Sequence, residues 1–67
     1  MMVKVKIEVE NDESKDESQI YQVPVVPENG ELIYVMWGGE TSVIQLSGKL
    51  WTMDNLEYDV CFRGDIL

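Results

Sequence analysis

Residues 3–10 read VKVKIEVE, with Val3, Val5, Ile7 and Val9 alternating with Lys4, Lys6, Glu8 and Glu10. Successive side chains of an extended strand point to opposite faces, so this period of two makes one apolar and one charged face. A helix would scatter the same four aliphatic residues around its circumference. All four are β-branched, which suits a pleated surface with one buried side. The segment is therefore a strand in a sheet with a core on one face.

The remainder continues in the same way. Residues 11–18, NDESKDES, hold no apolar residue and are rich in turn formers, so they read as a solvated acidic loop. Residues 19–26, QIYQVPVV, read as a second strand, at an edge or broken near its end because Pro24 cannot donate to a ladder. Residues 27–30, PENG, form a turn, and ELIYVMW over 31–37 forms a third strand. Gly38-Gly39-Glu40 turns the chain into a fourth strand over 41–47, and Gly48-Lys49 leads to a short fifth over 50–52. The sixth, LEYDVCFR over 56–63, points Leu56, Tyr58, Val60 and Phe62 inward and Glu57, Asp59, Cys61 and Arg63 outward. The competing reading places one short helical turn near 52–58, capped by Thr52.

Six short strands with turns every six to ten residues predict an all-β domain, a small antiparallel barrel or rolled sheet. Closure is favoured because an open sheet this small leaves two adhesive edges. The outward lysines of 3–10 and the outward acids Glu57 and Asp59 predict that the first and last strands are neighbours. Size and strand count are similar to those of small SH3-like barrels, an analogy of fold that carries no function. With 67 residues there is room for one domain, 1–67, and a small core.

Composition removes much chemistry. The chain has no His and one Cys, so it holds no Ser-His-Asp triad, no Cys-His pair, no His-bearing zinc site and no internal disulfide. Its serines lack an activating base, and no Gly-rich phosphate loop is present. Asp54, Glu57, Asp59 and Asp65 lie close in sequence, yet Glu57 and Asp59 fall on a solvated face. The chain is read as not an enzyme, with no cofactor and no metal. A formal charge of -8 argues against direct nucleic-acid binding. No apolar run approaches the ~20 residues of a membrane span, and no signal peptide is visible, so a cytoplasmic location is expected.

Two features point to a partner. Residues 8–17 hold Glu8, Glu10, Asp12, Glu13, Asp16 and Glu17 against Lys15 alone. The plain reading is a solvated loop; the sharper one has Glu10, Asp12, Glu13, Asp16 and Glu17 docking on a basic surface, carboxylates standing where phosphates would. As a calcium loop the segment matches poorly, since the glycine is missing and Val23 stands where the closing Glu would be. The second feature is LIYVMW over 32–37, apolar on both faces, where a one-core domain needs only one. Either Leu32, Tyr34 and Met36 or Ile33, Val35 and Trp37 face the core. The expected interface set is Ile33, Val35 and Trp37, with Trp51 as a further aromatic anchor.

These features predict a small acidic protein-binding protein, an inhibitor or regulatory accessory. Its most specific form is a nucleic-acid mimic occupying the basic site of a DNA- or RNA-handling protein. The alternative is a structural or assembly subunit that homo-oligomerises through the apolar strand face. A small-ligand binder using the two Trp residues is a third class without support in the sequence.

Overall fold

The computed structural model describes residues 2–9 and 17–67. It is all-β: five strands form one curled, half-barrel sheet. In chain order they are β1 (Val3–Val9), β2 (Glu17–Val23), β3 (Leu32–Trp37), β4 (Glu40–Trp51) and β5 (Val60–Ile66). Their order in the sheet is β2-β1-β5-β4-β3. Three neighbouring pairs are antiparallel, and β1 with β5 is parallel. The sheet is thus mixed, correcting the expectation of a purely antiparallel one.

The alternation in β1 does what it predicts. Val5, Ile7 and Val9 are buried on the concave face, with Val60 and Phe62 beside them on β5, Ile44 and Leu46 on β4 and Trp37 on β3. Every buried side chain in this set is apolar. Val3, Tyr21, Val23, Val26, Ile33 and Val35 pack around it, half-buried. On β5, Gly64 has Val9 as its register partner on one side and Leu46 on the other. A Cβ there would lie 2.6 Å from the Ile44 Cγ2 and 3.1 Å from the Ile7 Cγ2, so only glycine lets side chains of β1 and β4 close over this point of β5.

Strand boundaries depart from the sequence reading for local reasons. The second strand ends at Val23 because Pro24 follows, leaving 24–26 outside the ladder. The expected strands over 41–47 and 50–52 are one, β4, carried through a register shift between Ser47 and Leu50. That fusion accounts for five strands in place of six. The last strand begins at Val60, not at 56, and Leu56, expected inward, is 96% exposed. Side-chain hydrogen bonds capture the segment before it. The Thr52 hydroxyl donates to the Tyr58 carbonyl at 2.9 Å, and Asn55 Oδ1 accepts from the amides of Glu57 and Tyr58 at 2.7 and 3.3 Å. The Thr52 amide also donates to the Asp59 carbonyl at 3.0 Å. These bonds close 52–59 as a loop, in competition with both the strand and the helical turn, and no helix forms there.

The first and last strands are neighbours, as predicted, by a different route from the one the charges suggested. The Lys4 amide donates to Asp59 Oδ2 at 2.9 Å, and the Asp59 amide donates to the Lys4 carbonyl at 2.8 Å. Lys6 faces Cys61 across the ladder, and its ammonium pairs instead with Glu8 on its own strand at 3.2 Å. It also lies 4.9 Å from the centre of the Tyr58 ring. The bond from Glu8 holds the Lys6 ammonium above the usual lysine range.

Candidate interaction surface

Gly38 and Gly39 join β3 to β4 with φ of 59° and 85°. Two successive positive values are what a two-residue type I′ hairpin requires. This turn sets Trp37 opposite Glu40, Val35 opposite Ser42 and Ile33 opposite Ile44. Ile44 is fully buried, so the odd-numbered side chains of β3 share its concave face. Trp37 is only 4% exposed, and its Nε1 donates to Glu17 Oε2 at 3.0 Å. The expectation that Ile33, Val35 and Trp37 form an exposed interface is therefore corrected: they belong to the core and its margin.

The uncovered face of β3 is the other one. Leu32, Tyr34 and Met36 are 57%, 76% and 67% exposed on the convex surface. Their neighbours on β4 are Gln45, Val43 and Thr41, so no charged side chain interrupts the stripe. Glu31 precedes it, and Glu40 follows beyond the turn. In the sequence the five cationic residues, Lys4, Lys6, Lys15, Lys49 and Arg63, fall outside β3 and its two flanking acids. Residues 16–48 hold Asp16, Glu17, Glu28, Glu31 and Glu40 and no Lys or Arg. The stripe is an apolar surface with Glu31 and Glu40 at its two ends, while Glu28 is paired with Lys49 at 3.4 Å.

The remaining expected site residues do not join it. Trp51 is exposed, as an anchor must be, but it sits at the far end of β4, opposite Val60. There the Lys49 ammonium lies 5.4 Å from its ring centre, and Met2, Val3 and Met53 line a shallow cleft beside it. Of the acidic set, Glu17 is described, and its carboxylate is engaged by Trp37. Glu10, Asp12, Glu13 and Asp16 lie outside the described residues. Among the described residues no cluster of three or more potential metal ligands occurs, and no helix is long and apolar enough to cross a membrane. Cys61 is half-buried on the convex side; its partial burial and the nearby Glu8 carboxylate push its thiol upward, away from a reactive thiolate.

Leu32, Tyr34 and Met36 are the residues that sequence reasoning passed over as a site. The signal was present: a Gly-Gly turn fixes hairpin register, and the contrast of Leu46 with Gln45 tells which face of β4 is core. No protein-family model, no curated protein and no solved structure matches this chain.

Proposed function

We propose that this chain is a small acidic protein-binding protein, acting as an inhibitor or regulatory accessory by covering a surface of another protein. The observation that carries the reading is the exposed stripe Leu32, Tyr34 and Met36 on a sheet whose other face is already filled. A contiguous apolar patch with a polar rim is the ordinary mark of a protein interface, and an aromatic near its centre is the ordinary anchor. The rim here is acidic, so the complementary surface has an apolar centre and a basic border. Basic borders are common where a protein meets phosphates, which makes mimicry of nucleic acid the specific form of this proposal. The same charge disfavours the homo-oligomeric alternative, since two copies would bring like charges together across the contact.

The test is affinity capture from lysate with the wild-type chain and with the triple variant Leu32→Ser, Tyr34→Ser, Met36→Ser, at low and high salt. All three side chains lie outside the core, so the variant should keep its circular dichroism. A partner that is captured by the wild type, lost by the triple variant and weakened by salt supports the reading. Capture unchanged in the variant overturns it. Changing Asp12, Glu13, Asp16 and Glu17 together to Asn or Gln tests the acidic segment in the same assay. Mimicry predicts a loss of more than about tenfold in affinity, chiefly through a slower on-rate at low salt.

A further inference from the structure

Curling brings the two edge strands of the sheet towards each other without joining them. β2 and β3 share no ladder. At one end they are tied by side chains: Trp37 Nε1 to Glu17, and a long contact of 3.4 Å from the Tyr21 hydroxyl to the Met36 carbonyl. Away from that tie the seam opens over a cavity of about 160 Å³, with Tyr21 and Val23 on one wall, Ile33 and Val35 on the other, and Val5 and Ile7 beneath. An apolar void of ~150 Å³ accommodates a group the size of benzene.

The backbone of β3 is directed into this seam. The Leu46 amide donates to the Glu31 carbonyl at 2.9 Å, which turns that carbonyl towards β4, while the Glu31 amide donates to the Glu28 carbonyl at 3.2 Å. Antiparallel alternation then turns the polar groups of Ile33, Val35 and Trp37 towards β4, and those of Leu32, Tyr34 and Met36 outward. The Met36 carbonyl, reached by Tyr21 from the β2 side, agrees with that direction. Among the described residues the outward amides and carbonyls of Leu32 and Tyr34 have no ladder partner, on a strand with no proline and no charge. Natural edge strands are usually blunted by a lysine, a proline or a bulge, and β3 has none of these.

We propose that an extended, lysine- or arginine-bearing segment of a partner protein adds to the open edge of β3, with one apolar side chain entering the cavity between β2 and β3. This rests on the reading of β3 as the contact surface and names what meets it. Backbone pairing would supply affinity, and the cavity and the acidic surroundings would supply selectivity. Glu31 and Glu40 at the two ends of β3, with no lysine or arginine between them, favour a basic occupant over a second copy of this chain. Antiparallel self-pairing over the whole of 32–37 would also have to break the tie at Met36 and Trp37 in both copies.

The experiment uses the isotopically labelled full chain and a capped heptapeptide alternating lysine with valine, followed by NMR. On saturation, the Leu32 and Tyr34 amides should shift and their hydrogen exchange should slow by about tenfold or more. Of two peptides N-methylated at alternate amides, one in each register, one should lose binding and the other keep it. Tyr34→Pro should abolish binding while keeping the sheet, because that amide serves no ladder bond; should it unfold, the N-methylated pair still decides. Equal binding by both N-methylated peptides, or by a glutamate–valine peptide, overturns the proposal. So does concentration-dependent protection of Leu32 and Tyr34 without peptide, which would make the occupant a second copy. If the peptide fails to bind while the triple Ser variant still loses its lysate partner, strand addition falls and the surface reading stands.

Discussion

Gly64→Ala isolates what the curl of the sheet requires. The φ of Gly64 lies outside the left-handed region, so alanine meets no backbone strain there. What it meets is Ile44 Cγ2 at 2.6 Å, Ile7 Cγ2 at 3.1 Å and Val9 Cγ2 at 3.3 Å. Ile44 is fully buried, and Ile7 and Val9 nearly so, which leaves none of these methyl groups free to move aside. Overpacking of this kind costs roughly 1–3 kcal/mol. The smaller entropy of the unfolded alanine chain offsets about 0.4–1 kcal/mol. The 2.6 Å contact places the cost in the upper half of its range, so the net loss is about 1–2.5 kcal/mol, a large share for a domain whose total stability at ~0.05–0.15 kcal/mol per residue is about 3–10 kcal/mol. Urea titration followed by Trp fluorescence should show it. With a slope of about 1 kcal/mol/M the midpoint falls by about 1–2.5 M. Ile44→Leu removes the offending branch at nearly constant volume and should recover about half of that loss in the Gly64→Ala background, while costing stability in the wild type. A neutral or stabilising Gly64→Ala, or strictly additive effects in the pair, would refute the claim that Gly64 is kept for close approach.

The two faces of β3 should respond oppositely to charge: Trp37→Asp buries a carboxylate and should abolish the β-sheet circular dichroism, whereas Tyr34→Asp should leave it intact. Intact sheet signal in Trp37→Asp would contradict the placement of that ring. Trp37→Phe and Glu17→Ala should each cost about 1 kcal/mol, and the double variant little more than the larger single, since both remove one hydrogen bond between β2 and β3. Full additivity would show that the bond does not form. Alkylation of Cys61 by iodoacetamide should be slower than that of a free cysteine at neutral pH and should rise only above the usual thiol range, because a raised value means less thiolate at a given pH. A rate equal to that of free cysteine at pH 7 would count against the burial and the Glu8 contact.

Much of the architecture can be read from the residues themselves. Strand β1 is legible because its alternation is complete, and β5 is legible at Val60 and Phe62 for the same reason. The parallel β1–β5 pairing is not, because period two is the same in parallel and antiparallel ladders. The loop over 52–59 hid as a strand because Tyr58 keeps strand-like spacing with Val60, while Thr52 and Asn55 act through side-chain bonds that periodicity does not register. At β3 an all-apolar run carries no face information of its own. The face is fixed by β4 through the Gly38-Gly39 turn, and a reading confined to the strand itself selects the wrong set.

The parallel pair also governs the order in which the chain can fold. β1 and β5 lie side by side in the middle of the sheet, yet the hydrogen-bonded Lys4 and Asp59 are 55 residues apart. The β1–β2 and β3–β4 hairpins can form locally, but neither has a cover for its apolar face until β5 arrives, and an isolated hairpin is marginal in water. Folding that waits on so distant a contact belongs to the slow, millisecond-to-second range, and a single refolding phase in stopped flow should show it. During synthesis at about 5–20 residues per second, β3 is complete about 1–5 s before Val60 has been added. Until β5 docks, the apolar residues of β3 have no cover. Within residues 1–40, nine carboxylates stand against Lys4, Lys6 and Lys15, a charge that keeps neighbouring chains apart until the last strand closes the sheet.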